Sequence, residues 1–171
     1  VTKKENLTMK KAVFLDRDGV INSDKDLYYV TRPEEFVINP GVTEFLSELH
    51  SMGYLIIIIT NQGGIARGLY TRQTITEIHN LLLDLLKKNN VPIAEVYYCP
   101  HHPDYGNCIC RKPDSLLIEK AIARFGIDVE HSFFIGDREG DMEAARKAGI
   151  KAIKVDSNEN LLKYLRVIGQ L

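Results

Sequence analysis

Apolar positions fall in short blocks that switch between two periods. Residues 12–15, Ala-Val-Phe-Leu, form an unbroken apolar block that stops at Asp16. A polar loop follows, with a small strand expected at 35–38. Pro40 and Gly41 then precede Val42, Phe45, Leu46 and Leu49, the i, i+3, i+4, i+7 spacing of one buried helical face. Gly53 stands where a helix C-terminal glycine would. Residues 54–59 contain four consecutive isoleucines without alternation, which suits a strand buried on both faces. A glycine-bearing loop over 61–68 leads to a helix expected at 71–88, with the stripe Ile75, Ile78, Leu82, Leu85 and Leu86. Short strands are expected at 95–98, 132–135 and 151–155. Helices are expected from a cap at Asp114 through Arg124, at 139–148 and at 159–166.

Strand and helix thus alternate along the chain, and the pattern predicts an α/β domain: a doubly wound, mostly parallel sheet. Residues 1–9 read as a tail, with Met9 a possible alternative start, and 10–171 as a single domain. In such sheets ligands bind outside the carboxyl ends of the strands. The residues just after each strand therefore carry the functional question.

Composition narrows the class. The chain has 171 residues, 44% hydrophobic and 26% charged, enough for one packed core and unlike a disordered chain. Its 22 basic and 23 acidic residues leave a net charge of −1, so no global field draws it to nucleic acid or to an anionic membrane. The longest apolar run, 54–59, falls far short of the ~20 residues of a membrane span. Residues 1–9 carry no apolar signal region. The expectation is a cytoplasmic monomer.

Four polar groups follow strands or precede helices: Asp16-Arg17-Asp18-Gly19, Thr60-Asn61-Gln62, Arg111-Lys112-Pro113, and Gly136-Asp137 with Asp141. Each alone reads as a turn or a helix cap. Together they bring several carboxylates to one crevice with Lys112 and Thr60. Crowded carboxylates raise one another's pKa, and a divalent cation relieves this. Mg²⁺ typically takes one or two carboxylates plus water and substrate phosphate. Lys112 and the Thr60 hydroxyl are suited to phosphate oxygens.

All three cysteines lie between Cys99 and Cys110, as Cys99-Pro-His101-His102-Pro103 and Cys108-Ile-Cys110. An odd number in one window is a poor disulfide framework. Three thiolates and one imidazole suit a closed, tetrahedral structural Zn²⁺ site, which would fold the loop that delivers Arg111 and Lys112.

Asp16-x-Asp18-Gly19, Thr60, Lys112 and Gly136-Asp137-x-x-x-Asp141, in this order, resemble the four motifs of the haloacid-dehalogenase-like phosphatases over roughly residues 11–155. The resemblance implies an enzyme in which Asp16 attacks phosphorus and forms an aspartyl-phosphate. Asp18 then serves as general acid and base. It implies Mg²⁺ held by the carboxylates of Asp16 and Asp137 and the main-chain carbonyl of Asp18. Thr60 and Lys112 stabilise the transferring phosphoryl group, and Asp141 orients Lys112 or a metal-bound water. The segments 19–41 and 61–111 leave no room for a cap domain, so substrate selection falls to loops.

The cysteine window, with Arg111-Lys112-Pro113, resembles two relatives: the D-glycero-D-manno-heptose-1,7-bisphosphate 7-phosphatases and the histidinol-phosphatase domains. Residues 60–68, Thr-Asn-Gln-Gly-Gly-Ile-Ala-Arg-Gly, are more similar to the heptose enzymes. The six residues between His101 and Cys108, and Gly136-Asp137-Arg138, are more similar to the histidinol enzymes. The kinship makes Cys99, His101, Cys108 and Cys110 the zinc ligands. It makes Asn61, Gln62 and Gly63 the leaving-group wall, and gives Arg111 and Arg138 a second anionic group or a sugar hydroxyl. Arg67 and residues 24–29 are expected as further walls. His50, His79 and His131 have no partner motif and read as structural. A small phosphorylated substrate is implied, either heptose bisphosphate or histidinol phosphate. A phosphoacceptor signalling domain is the rival non-enzyme reading, but it explains neither the Asp16-x-Asp18 spacing nor the cysteines.

Overall fold

The structure, a computed structural model, describes residues 9–169; the expected tail lies, but for Met9, outside them. Five strands form one sheet in the order β3-β2-β1-β4-β5: β1 Ala12–Leu15, β2 Leu55–Asn61, β3 Glu95–Cys99, β4 Phe133–Gly136 and β5 Lys151–Lys154. Every neighbouring pair is parallel, as the unalternating isoleucines required. The helices are α1 Val42–Ser51, α2 Arg72–Lys87, α3 Leu116–Phe125, α4 Glu139–Lys147 and the short α5 Leu165–Ile168.

Strand side chains alternate between two apolar layers. Val13, Leu15, Ile56, Ile58, Phe133 and Ile135 pack with the buried stripes of α1 and α2. Phe14, Ile57, Ile59 and Phe134 pack with Leu117, Ile118 and Ala121 of α3 and Ala144 and Ala145 of α4. The sheet is therefore covered on both faces, the doubly wound arrangement expected. Leu85 lies at the margin of its stripe, partly buried against the first layer.

Local chemistry moves several boundaries. The segment expected as a strand at 35–38 begins instead with a 3₁₀ turn at Pro33–Glu35, and only Ile38 pairs, as an isolated bridge to Asn22. Pro33 presets the turn, and Glu35 accepts from the Thr31 backbone at 2.9 Å. Asp114 does not cap α3. The cap position is Ser115, and the Asp114 carboxylate pairs with Lys147 at 3.0 Å. The expected helix at 159–166 is a 3₁₀ turn, Leu161–Tyr164, entered through the Asn160 side chain, and only then α5. Among the described residues no helix is long and apolar enough to cross a membrane.

Register brings the functional residues to one edge. Leu15 lies between Ile58 and Ile135, so Asp16 and Asp137, just past β1 and β4, and Thr60, paired with Tyr98 near the end of β2, stand together at the carboxyl end of the sheet. Asn61 pairs with Cys99, which sets the cysteine window beside them. Among the described residues no cap domain stands over this edge, which is bordered by loop 16–41, loop 62–71 and the cysteine window.

Candidate active site

Lys112 is the hub. Its side chain is 3% exposed, and Nζ lies 2.9 Å from Asp16 Oδ1 and 2.7 Å from Asp141 Oδ1 while donating to the Ile59 carbonyl at 2.8 Å. Burial pulls the pKa of this amine down, but the Asp141 and Asp16 carboxylates outweigh it and hold it above the ordinary lysine value. Its main chain is fixed from both sides by one amide. The Lys112 N–H donates to Asn61 Oδ1 at 3.1 Å, and Asn61 Nδ2 donates to the Lys112 carbonyl at 3.0 Å. Asn61 therefore lines the crevice with its amide already engaged.

Asp16 sits against this ammonium. Burial is the main force pushing its carboxyl up to about 7; Lys112 opposes and Asp141 adds to the rise. Asp137 is also raised, again chiefly by burial, against the opposing charge of Arg138. Carboxylate oxygens of Asp16, Asp137 and Asp141 lie within 4.8 Å of one another. Asp137 Oδ1 is buried with no hydrogen-bond partner among the described residues. It is free because α4 takes its cap elsewhere, from Arg138 and the Asp141 side chain, whose Oδ2 accepts from the Arg138 N–H at 3.1 Å. An orphaned buried oxygen beside crowded carboxylates is a donor set that fits a hard divalent cation. Gly19 is required here. With φ at +81° it takes a left-handed turn, and a Cβ would meet Asp137 Oδ2 at 2.6 Å.

Asp18 faces the same crevice under different control. Burial would raise its carboxyl, yet the Arg17 guanidinium and hydrogen bonds from Arg17, Asn22 and Gln62 bring it below the ordinary value. Oδ1 accepts from Arg17 Nε at 3.1 Å, Arg17 Nη2 at 2.7 Å and Asn22 Nδ2 at 3.0 Å. Oδ2 accepts from Gln62 Nε2 at 2.8 Å. The Tyr70 hydroxyl donates to Gln62 Oε1 at 2.7 Å, which turns the amide nitrogen toward Asp18 and Thr60. Gln62 and Thr60 thus lie beneath the crevice, each 1% exposed, rather than along its wall.

The wall itself holds Gly63, Arg111 and Arg138 with Tyr28 and Tyr29. Arg111 Nη1 donates to the His101 carbonyl at 3.0 Å, and a Cβ on Gly63 would crowd that nitrogen at 3.1 Å. Arg138 pairs with Asp24 at 3.3 Å over the Tyr28 ring. Asp24 also accepts from Ser157 Oγ and Asn158 Nδ2, so both of its carboxylate oxygens have partners. Arg67 stands over the Tyr29 ring at 6.0 Å.

Ligand atoms of Cys99, His101, Cys108 and Cys110 lie within 4.8 Å of one another. His101 Nδ1 is 3.5 Å from Cys99 Sγ and 3.2 Å from Cys110 Sγ, whereas His102 Nδ1 accepts from the Asp104 N–H. Burial and the neighbouring Cys110 push the Cys99 thiol well up. Three sulfurs with one imidazole nitrogen at these separations fit a tetrahedral zinc ion.

Sequence reasoning gave no role to Arg17 or Tyr70 and read His79 as structural, and the structure brings Arg17 and His79 together beneath the crevice. Arg17 is fully buried, and its Nη1 lies 3.1 Å from His79 Nε2. Burial, then Arg17, pushes the His79 imidazolium down to about 3. The signals were present: Arg17 continues the Val13, Leu15 face of β1, and His79 occupies the i+4 position of the Ile75 stripe.

Residues 11–160 match the family model described as polynucleotide kinase 3 phosphatase. A D-glycero-beta-D-manno-heptose-1,7-bisphosphate 7-phosphatase of Helicobacter pylori is 42% identical over 146 residues, 85% of this chain and 82% of that one. The chain belongs to the haloacid-dehalogenase-like phosphatases. This phosphatase also resembles a D-glycero-alpha-D-manno-heptose-1,7-bisphosphate 7-phosphatase of Photorhabdus laumondii, at 39% identity over 82% of this chain and 79% of that one. Among solved structures, the D,D-heptose 1,7-bisphosphate phosphatase from B. bronchiseptica, complexed with magnesium and phosphate, superposes with a TM-score of 0.80. It is 33% identical and covers 92% of this chain and 86% of that one.

Proposed function

We propose that this phosphatase removes the 7-phosphate of D-glycero-D-manno-heptose 1,7-bisphosphate with Mg²⁺ at Asp16, Asp137 and the Asp18 carbonyl. The observation that carries the chemistry is the convergence of the Asp16, Asp137 and Asp141 carboxylates, with the buried Lys112 ammonium paired to Asp16 and Asp141. The metal supplies charge neutralisation for the phosphate and for the crowded carboxylates. An Asp16 oxygen attacks phosphorus as the bond to the leaving oxygen breaks, and that oxygen takes its proton from Asp18. A water then loses a proton to Asp18 and attacks the aspartyl-phosphate, releasing inorganic phosphate and free Asp16. Lys112 and Thr60 offset the charge on the equatorial oxygens, and Asp141 keeps Lys112 aimed at them.

Relatives named for heptose bisphosphate support the substrate. So does the wall. Arg111 takes the anomeric phosphate through a bidentate, charge-assisted contact, with Arg138 as a second cation. Histidinol phosphate would bring an ammonium, yet Asp24, the carboxylate in the 24–29 wall nearest Arg138, is already engaged by Arg138, Ser157 and Asn158. We assign Cys99, His101, Cys108 and Cys110 to a structural zinc that holds Arg111. The same reading makes the protein a cytoplasmic monomer acting on a free sugar phosphate, without nucleic acid or membrane. The test is kcat/KM for heptose bisphosphate and histidinol phosphate on one preparation. Preference for the bisphosphate, weakened in Arg111→Ala, is expected; preference for histidinol phosphate overturns the substrate and leaves the phosphatase chemistry standing.

A further inference from the structure

The strongest feature that the phosphoryl-transfer machinery does not itself use is the buried contact between Arg17 and His79. Arg17 is fully buried, and its guanidinium is divided between two partners. Nε and Nη2 both point at Asp18 Oδ1, and Nη1 points at His79 Nε2 at 3.1 Å. A guanidinium only donates, so His79 Nε2 is the acceptor and the ring proton sits on Nδ1. His79 itself is held on α2, buried at 7% exposure, edge-on to the Tyr98 ring at 5.7 Å. It does not line the crevice and touches no reacting atom.

The guanidinium is planar and rigid, so fixing Nη1 fixes the direction of Nε and Nη2. Three donors then occupy Asp18 Oδ1, while among the described residues Oδ2 accepts only from Gln62. Oδ2 is left as the oxygen with lone-pair capacity for a travelling proton.

We propose that His79 is a positioning residue for the acid–base step. By accepting from Arg17 Nη1 it holds the guanidinium on Asp18 Oδ1, so that Oδ2 delivers the proton to the leaving oxygen and later takes one from water. The inference rests on the acid–base role proposed for Asp18. Without an acceptor at position 79, Nη1 is a buried donor with no partner and the guanidinium is free to rotate off Asp18.

The test is kcat/KM across a series of substituted phenyl phosphates, with Mg²⁺, for wild type, His79→Leu, His79→Gln and Asp18→Asn. This parameter reports the steps through departure of the leaving group, and a poor leaving group needs the proton most. His79→Leu should lose on the order of tenfold on phenyl phosphate, within the ~10²–10⁴-fold span of a whole general acid. It should lose far less on p-nitrophenyl phosphate, so the dependence on leaving-group acidity steepens. His79→Gln, which restores an acceptor oxygen, should return the slope toward wild type. A uniform loss on every ester, or none, overturns the inference. A steep slope in Asp18→Asn with an unchanged slope in His79→Leu overturns this inference alone; an unchanged slope in Asp18→Asn overturns the acid–base reading beneath it. In the wild type, the imidazole nitrogens observed by NMR should show Nδ1 protonated and Nε2 bare, and a protonated Nε2 overturns the inference whatever the variants do.

Discussion

His79 couples stability to pH as well as holding Arg17. Its folded pKa is pushed to about 3 by burial and then by Arg17, against an ordinary value near 6.5. Between those values the unfolded chain binds a proton that the native protein refuses, so stability rises with pH across the window and is lost as pH falls below neutrality. At pH 5 the cost is about 2 kcal/mol, at roughly 1.4 kcal/mol per pH unit below the ordinary value. His79→Gln carries no such proton. Relative to wild type, its unfolding free energy in urea should therefore improve by about 2 kcal/mol between pH 7 and pH 5; a constant difference contradicts the assignment. At this scale Asp16, Asp18, Lys112 and Asp137 each read alone as a turn or a cap, and were legible as candidates only together, through their order at strand ends and the family motifs they resemble. The sequence hid what Gln62 and Asn61 bind, because an amide's partner depends on which neighbour the fold places beside it. Gln62 meets Asp18 and Asn61 meets the Lys112 backbone, contacts 44 and 51 residues apart in the chain.

Among the elements, the cysteine window is anchored at both ends. Cys99 ends β3 inside the sheet, and Arg111 is tied back to the His101 carbonyl. Lys112 has a second anchor, the two hydrogen bonds to Asn61. Cys108→Ser should therefore lose zinc by elemental analysis and release Arg111 more than Lys112. The expected kinetics are a larger fall in kcat/KM for the bisphosphate than for a simple phosphomonoester. Full zinc content, or equal losses on both, contradicts this division. Long periodic elements such as α1 and α2 were legible because one apolar stripe fixes both type and length. The ends were not. Asp114 is as good a cap residue as Ser115 by composition, and only the position of Lys147 on α4 decides its partner. The stretch at 159–166 has helical spacing but begins at Asn160, whose side chain closes a tighter turn.

Across the whole molecule, the parallel sheet turns four separated sequence segments into one site. Leu15 between Ile58 and Ile135 is the register that does it. The alternation of strand and helix made this architecture readable without coordinates, and the rule that ligands sit at strand carboxyl ends made the site readable too. No cap domain covers the crevice among the described residues, and its wall carries Arg111, Arg138, Tyr28 and Tyr29. The account depends most on Asp16 being the atom source of the phosphorus–oxygen bond that forms first. Steady-state phosphate release with Mg²⁺, measured on Asp16→Asn beside wild type with thermal unfolding as the control for folding, tests it directly. An amide oxygen is a poor nucleophile, so turnover should be lost in a variant that stays folded. Turnover near the wild-type rate in that variant would contradict the account.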